Sequence, residues 1–298
     1  MTPTAWIGLG NLGLPMAARI AAAGVPLVGV DTDAARSALA QARGIETAGT
    51  LESAVAGVRV VVTSLPSDAV VLAVTTGSGG LFELMPRGAI LAETSTIAPD
   101  TSRIVAEHAA RAGIAYLRLP MSGSTVLAEQ GTLSCFASGP RDAFAEVDPL
   151  LAHVARMRTW LGENEEARYA KLAINLMVTV TAGALAEALA LGRKGGIGYR
   201  QMLDVISNSV MGSPFIKYKA GPLAERDFTP TATSKLLAKD LDLILQTAHA
   251  EGVPAPLAAS MREMYSAIIA MGDGEADFIT TVRHTERLSG LGEPDDAK

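Results

Sequence analysis

The stretch Gly8-Leu9-Gly10-Asn11-Leu12-Gly13 decides the fold of this 298-residue chain. It comes at the end of an apolar run, Ala5–Leu9, that predicts a strand, and it leads into an alanine-rich run, Leu14–Ala23, that predicts a helix. Glycines at this spacing allow a tight turn, a close approach of backbone to a pyrophosphate, and close packing of helix on strand. The sequence therefore predicts a dinucleotide-binding unit, with an ordinary glycine-rich turn as the alternative.

An acidic residue stands where the second part of such a site is expected. Asp31 ends the next predicted strand, Leu27–Asp31, about 20 residues after the glycines. Its carboxylate can accept hydrogen bonds from the ribose hydroxyls of NAD and would repel a 2′-phosphate, so NAD is favoured over NADP. Arg36 lies close enough in the sequence to keep NADP open.

Short apolar strands alternate with helices as far as Gly162. Further strands are predicted at Val58–Leu65, Ala89–Glu93, Ala115–Leu119, Leu133–Ala137 and Arg158–Leu161. Helices such as Leu14–Ala23 and Ala34–Arg43 lie between the early strands. This alternation predicts an α/β Rossmann fold, a doubly wound and mostly parallel sheet with helices on both faces.

After Gly162 the sequence predicts helices only. A long helix is predicted over about residues 165–194, followed by Tyr199–Ser207, Thr233–Ala250 and Ala255–Met271. We therefore predict an NAD-binding Rossmann domain over 1–162 and an all-α domain for substrate binding and oligomerisation over 163–298, joined by the long interdomain helix. A polar, frayed tail is expected from Gly290 to Lys298.

Composition excludes several classes of protein. The net charge is -6 and no run of Lys and Arg forms a basic stripe, so nucleic acid is not an expected partner. A single cysteine, Cys135, excludes an intramolecular disulfide, and the start of the chain has no cationic leader, which together favour the cytoplasm. The most apolar stretch, Leu172–Ala186, is too short and polar to span a bilayer. No metal is expected, since the histidines are scattered: His108, His153, His249 and His284.

Lys171 and Asn175 stand four residues apart on the predicted long helix and therefore share a face. Their neighbours, Leu172 to Val178, are apolar apart from Asn175, so this turn is expected to be buried or to line a cleft. The charged form of an isolated lysine is costly in such surroundings, which favours a role in proton transfer. A solvated polar pair is the alternative.

The chain resembles the β-hydroxyacid dehydrogenase family typified by 3-hydroxyisobutyrate dehydrogenase, over nearly its whole length. The resemblance rests on an ordered set of motifs: Gly8 to Gly13 continuing to Pro15-Met16-Ala17, Leu65-Pro66, Ser95-Thr96-Ile97, Pro120-Met121-Ser122-Gly123, Gly131-Thr132-Leu133, Lys171…Asn175 and Lys239-Asp240-Leu241. It implies an NAD(P)-dependent enzyme that acts on a small 3-hydroxy acid or its semialdehyde. It also implies a homodimer or homotetramer.

The resemblance implies roles for individual residues. Lys171 is the general acid/base, Ser122 and Gly123 hold the substrate carboxylate together with Ser124, and Asn175 positions the substrate. Lys239 lies near both nicotinamide and substrate. The implied cofactor-binding residues are Gly8, Gly10, Asn11, Leu12, Gly13, Asp31, Leu65, Pro66, Thr96 and Lys239.

Two other functions stay open. Imine reductases resemble this family but usually lack a lysine at position 171, and a non-catalytic NAD-binding protein could keep the same fold. The 6-phosphogluconate type of dehydrogenase is also similar in its first domain, although this chain is much shorter.

The chain departs from the family at several positions near these motifs. Glu93 replaces a typical Asp, Arg118 stands where an acid is common, and Ser124 replaces a glycine. Glu165 and Ala167 also replace glycines ahead of Lys171, and Ala232 occupies a position that Phe often fills. We expect Ala232 to leave room for a substrate bulkier than 3-hydroxyisobutyrate.

Overall fold

The computed structural model describes residues 3–294 of the chain. By its internal contacts the chain divides into two units, one ending at Lys171 and the other beginning at Leu172. The sequence places the domain boundary at 162/163, ahead of the long helix, and that boundary stays a prediction. The end of the predicted frayed tail, residues 295–298, lies outside the described residues.

The first unit is built on a nine-stranded sheet. Its strands are β1 (Thr4–Ile7), β2 (Leu27–Val30), β3 (Glu46–Thr47), β4 (Val60–Thr63), β5 (Ile90–Glu93), β6 (Ala115–Arg118), β7 (Met121–Ser122), β8 (Leu133–Ser138) and β9 (Ala155–Gly162). They lie in the order β3-β2-β1-β4-β5-β6-β8-β7, with β9 beside β8. All pairs from β3 to β6 are parallel, and β8 runs antiparallel to β6 and β7.

Helices cover both faces of this sheet. They are α1 (Gly13–Ala22), α2 (Ala34–Ala42), α3 (Leu51–Val55), α4 (Asp68–Thr76), α5 (Leu81–Leu84), α6 (Pro99–Ala112), α7 (Thr125–Gln130) and α8 (Arg141–Leu151). Alternate residues of β1 enter different cores: Trp6 packs into one, and Ala5 and Ile7 pack into the other. Two cores on opposite faces of a largely parallel sheet confirm the predicted doubly wound Rossmann fold.

The second unit is helical, as predicted. Helix α9 (Glu166–Lys194) spans the division between the units and is followed by α10 (Tyr199–Asn208), α11 (Pro214–Ala224), α12 (Ser234–Ala250), α13 (Pro256–Ala270), a 3₁₀ turn (Phe278–Thr280) and α14 (Thr281–Leu288). Within residues 163–294 the β-type pairing is a single bridge between Thr233 and Asp277. Helices α11 and α14 were not predicted, and α11 contains the helix-breaking pair Gly221-Pro222.

Helix α9 has the length and composition to cross a membrane. An 18-residue window of this 29-residue helix has a mean hydropathy of 1.7. The segment Leu172–Ala186 was predicted to be too short to span a bilayer, but the whole helix is long enough. Core helices of globular proteins meet the same criteria, and 44% of that window is buried inside the structure. No other helix within residues 3–294 meets them.

Candidate cofactor and catalytic site

The three glycines of the first turn differ in what surrounds them. Gly8 has φ of +95°, and a Cβ there would lie 2.2 Å from the carbonyl oxygen of Ser64. A Cβ on Gly13 would lie 2.1 Å from the carbonyl oxygen of Gly8. A Cβ on Gly10 would have no heavy atom within 4 Å. Packing therefore requires glycine at positions 8 and 13. Gly10 faces open space instead, and a ligand needs such space to approach the backbone.

The start of α1 has no side chain that would compete with a bound anion. Its N-cap residue, Leu12, makes no side-chain cap hydrogen bond, and the first turn carries no acidic residue. The positive end of the helix dipole therefore faces no side-chain anion of its own first turn, which suits a pyrophosphate.

Asp31 follows β2 and reaches back to the glycine turn. Its Oδ2 accepts the backbone N–H of Leu9 at 2.7 Å, and its Oδ1 accepts that of Asp33 at 2.9 Å. These bonds fix the carboxylate beside the turn and leave lone pairs for ribose hydroxyls. Arg36 donates from Nη2 to Oδ1 of Asn11 at 2.8 Å, so its guanidinium also lies at this turn.

The carboxyl ends of β4 and β5 continue the same edge of the sheet. The Oγ of Ser95 accepts the backbone N–H of Leu65 at 2.8 Å, which joins the loops after the two strands. Ser95 is buried, Leu65 and Thr96 are half-buried, and Pro66 is exposed. In the strand order β2-β1-β4-β5, a dinucleotide bound along this edge, which we call the cofactor edge, would have its adenosine near β2 and its nicotinamide near β4 and β5.

The predicted carboxylate-binding loop is a tight turn between β7 and α7. Gly123 has φ of +138°, and a Cβ there would lie 2.6 Å from Cδ2 of Leu133, so glycine is required. Ser124 caps α7, because its Oγ accepts the backbone N–H of Leu127 at 3.4 Å. Where the family has a second glycine, this chain therefore starts a short helix, while Ser122 stays half-buried at the end of β7.

Lys171 is 8% exposed and lies in the second turn of α9. One turn earlier on the helix, Arg168 is buried and binds the loop after β5: its Nη1 donates to the carbonyl oxygen of Ser95 at 2.7 Å. The same guanidinium forms an ion pair with Glu93 at the end of β5. Burial alone would lower the pKa of Arg168, but Tyr116 and Glu93 raise it, so the group stays charged.

The remaining predicted residues belong to the second unit. Asn175 donates from Nδ2 to Oδ2 of Asp240 at 2.7 Å, and the ammonium of Lys239 lies 2.9 Å from Oδ1 of the same carboxylate. The structure thus brings Asn175 and Lys239 together through Asp240. Sequence reasoning did not single out Asp240, although the motif Lys239-Asp240-Leu241 contains it.

The turn around Lys171 and Asn175, which was expected to be buried or to line a cleft, is buried on the face that carries these two residues. Lys171, Leu172 and Asn175 are buried, but Ile174 is 38% exposed and Met177 is 65% exposed. Apolar composition does not distinguish a face that packs inside the chain from one that stays on its surface.

Two of the departures from the family pattern form one ion pair. Arg118, at the end of β6, donates from Nε to Oε1 of Glu165 at 2.9 Å, and both side chains are buried. Arg118, a cation where the family often has an acid, is thereby neutralised by Glu165, an acid where the family typically has a glycine. The pair ties the strand before the carboxylate-binding loop to the residue before α9.

Comparisons with known proteins agree with this geometry. The family model described as the NAD binding domain of 6-phosphogluconate dehydrogenase matches residues 3–162, which is more than half of the chain. A second model, the NAD-binding region of NADP-dependent 3-hydroxyisobutyrate dehydrogenase, matches residues 166–285. The chain is 32% identical to a 3-hydroxyisobutyrate dehydrogenase of Pseudomonas aeruginosa over 92% of its own length and 94% of that protein. The chain belongs to the β-hydroxyacid dehydrogenase family.

Other members of the family show the same extent of similarity. A 2-(hydroxymethyl)glutarate dehydrogenase of Eubacterium barkeri is 29% identical over 96% of this chain and 95% of that protein. The solved structure of a Mycobacterium tuberculosis 3-hydroxyisobutyrate dehydrogenase with L-serine is 28% identical, with a TM-score of 0.86, over 95% of this chain and 98% of that one. As a member of the β-hydroxyacid dehydrogenase family, the chain is an NAD(P)-binding oxidoreductase.

Other side chains that could act as a nucleophile or as metal ligands are either buried or not grouped together. Cys135 lies in β8, where burial raises the pKa of its thiol to about 12 and keeps it protonated. Within residues 3–294 no three His, Cys, Asp or Glu side chains are grouped as metal ligands would be.

Proposed function

We propose that the protein transfers a hydride between a 3-hydroxy carboxylic acid and the nicotinamide of NAD, with Lys171 as the general acid/base. One observation carries the proposal. Lys171 is a buried lysine on α9, one turn from Arg168, whose guanidinium binds Ser95 at the end of the sheet edge where we expect the nicotinamide. A proton-transfer group is thereby held in the same unit as the cofactor site.

The roles of the residues follow from this chemistry. Bound nicotinamide supplies a two-electron acceptor or donor of hydride. The amine of Lys171 takes the substrate hydroxyl proton during oxidation and returns it to the carbonyl oxygen during reduction, so that protons and electrons balance. To accept that proton, the amine must be neutral when the acid binds.

We assign the remaining residues by their match to the family. Gly8, Gly10 and Asn11 to Gly13 hold the pyrophosphate, and Asp31 holds the ribose. Leu65, Pro66 and Thr96 line the path to the nicotinamide. Ser122, Gly123 and Ser124 bind the substrate carboxylate, Asn175 positions the substrate and Lys239 contacts substrate and nicotinamide.

We expect NAD to be preferred to NADP. Asp31 is fixed beside the glycine turn by two backbone hydrogen bonds, where its charge repels a 2′-phosphate. Arg36 lies at the same turn, where its Nη2 donates to Asn11, and its remaining N–H groups are why NADP is included in the test. We also expect a homodimer or homotetramer in the cytoplasm, which light scattering and fractionation would test.

The test compares wild type with Lys171→Ala. Reduction of NAD and of NADP is followed against a panel of 3-hydroxy acids, and the reverse reaction against their semialdehydes and a cyclic imine. We expect NAD-linked oxidation of one acid, lost in Lys171→Ala while calorimetry still detects NAD binding. Reduction of the imine but of no semialdehyde would replace the proposal with an imine reductase. NAD binding without turnover of any of these substrates would favour the non-catalytic alternative.

A second comparison tests the size of the substrate. We expect Ala232→Phe to lower kcat/KM for 3-hydroxy acids bulkier than 3-hydroxyisobutyrate by about 10-fold or more, within the range that one pocket contact controls. Activity on 3-hydroxyisobutyrate itself should change less. Equal rates on small and bulky acids in both proteins would exclude a roomier pocket.

A further inference from the structure

The buried guanidinium of Arg168 is bound in several directions at once. Besides its bonds to Ser95 and Glu93, it donates from Nη2 to the hydroxyl of Tyr116 at 2.9 Å and from Nε to Oγ of Ser102 at 3.3 Å. It is 1% exposed, so water does not compete for these bonds. Its position therefore fixes the orientation of the loop after β5 relative to the first turns of α9.

The loop that Arg168 holds is also tied to its neighbours. The Oε1 of Glu93 accepts the backbone N–H of Ser95 at 2.7 Å, and Ser95 in turn accepts the N–H of Leu65. Arg168 thus binds the carbonyl side of Ser95, while its ion-pair partner binds the amide side. Thr96, the next residue, is one that we assign to the cofactor.

Stability alone does not account for such a network. Desolvation largely offsets the attraction of a buried ion pair, so an apolar pair of similar volume would often stabilise the fold as well. A planar guanidinium that binds a carbonyl, a carboxylate and two hydroxyls specifies one geometry. The geometry that it specifies joins the nicotinamide end of the cofactor edge to the helix turn that bears Lys171.

We propose that Arg168 is a positioning residue that locks the Ser95-Thr96 loop to the turn of α9 that carries Lys171, so that the hydride path and the proton path stay aligned. The inference rests on the proposed function for the role of Lys171, but not for the location of the cofactor edge. Arg168 does not act on substrate directly.

The test uses Arg168→Lys with Arg193→Lys as the matched control. Both arginines lie on α9 and pair with a buried glutamate, Glu93 in one case and Glu286 in the other. The substitution is therefore the same in chemistry and on the same helix, but Arg193 makes its ion pair with the second unit's Glu286. Lysine keeps the charge and cannot bind in all the directions of the guanidinium.

Hydrogen exchange of the full chain, with and without saturating NAD, gives a readout that needs no turnover. In wild type and Arg193→Lys we expect NAD to slow exchange both in the glycine turn, Gly8–Gly13, and in residues 94–97. In Arg168→Lys we expect NAD to slow exchange in the glycine turn as it does in wild type. In residues 94–97 we expect the slowing that NAD causes to be smaller by about 10-fold or more. Equal protection at both places in Arg168→Lys would overturn the proposal.

Kinetics give a second readout that a purely structural role would not change. With the acid identified by the panel, we expect Arg168→Lys to lower kcat by about 100-fold, a loss that a misplacement of about 1 Å can cause, with KM within about threefold of wild type. Arg193→Lys should keep its kcat even if its Tm falls equally. A kcat within about threefold of wild type in Arg168→Lys would overturn the proposal.

Two provisions keep these outcomes separate. If Arg168→Lys does not fold, Glu93→Gln is used instead, since it keeps an acceptor for the Ser95 amide and removes the charge that holds Arg168. The same loss of protection and kcat is expected, and wild-type behaviour would overturn the proposal. If wild type oxidises no acid, the proposed function fails on its own panel, and the exchange result alone decides the role of Arg168.

Discussion

Gly10 and Gly13 offer a matched pair of substitutions that separates cofactor binding from folding. A Cβ on Gly10 meets no heavy atom within 4 Å, and the backbone there does not have positive φ. We therefore expect Gly10→Ala to fold, and to gain about 0.4–1 kcal/mol because alanine restricts the unfolded chain. The new methyl group occupies the space in which a pyrophosphate would approach the backbone. We expect NAD affinity to fall by about 10-fold or more, which is about 1.4 kcal/mol.

Gly13→Ala should have the opposite profile. Its Cβ would lie 2.1 Å from the carbonyl oxygen of Gly8, against a lower limit near 3.0 Å for real contacts, so helix and turn must separate by about 1 Å. Overpacking against backbone costs about 3 kcal/mol or more, which lowers Tm by about 6–12 °C in a unit of this size.

Thermal unfolding without ligand and calorimetric titration with NAD measure the two effects separately. Wild-type NAD affinity in Gly10→Ala would refute the inference that this glycine faces the cofactor. A wild-type Tm in Gly13→Ala would refute the close contact between α1 and the turn.

Three further predictions concern buried groups. Arg118→Met should lower the free energy of unfolding in urea by about 3–5 kcal/mol, because it leaves the charge of Glu165 buried without its partner. Adding Glu165→Gln to this variant should recover much of that loss. Equal losses in the single and the double variant would contradict this. Burial raises the pKa of the Cys135 thiol to about 12, so an alkylating reagent at about pH 8 should label it only after unfolding, and rapid labelling of the native protein would be evidence against burial. Burial, assisted by Arg287, lowers the pKa of His284 from its usual 6.5, so the stability that it contributes is present above that pH and is lost as pH falls below it. His284→Gln should therefore lose less Tm than wild type between about pH 7 and about pH 5, and identical pH profiles would rule this out.

Local patterns in the sequence determined the architecture of the protein. The glycine turn and the apolar runs on either side of it predicted β1 and β2 to within about two residues of their observed ends, because burial on both faces of a parallel sheet leaves continuous apolar runs. The long helix was predicted over 165–194 and is observed as Glu166–Lys194, since acidic residues favour its start and Gly195-Gly196 ends it.

Other elements left too weak a local signal. Strands β3 and β7 have two residues each, which is too short for a periodic pattern, and α11 forms despite Gly221-Pro222 because its tertiary contacts outweigh its helix propensity. The apolar run around Lys171 likewise did not predict that Met177 would be exposed.

Only the tertiary structure decided which charged and polar groups meet. Arg118 and Glu165 are 47 residues apart, and Arg168 and Glu93 are 75 apart, so no spacing rule relates the members of either pair. In the sequence Glu93, Arg118 and Glu165 are separate departures from a family pattern, and no motif singles out Arg168. A charge can pair with any opposite charge that the fold brings near it, and that proximity depends on how strands and helices pack, which local propensity does not encode.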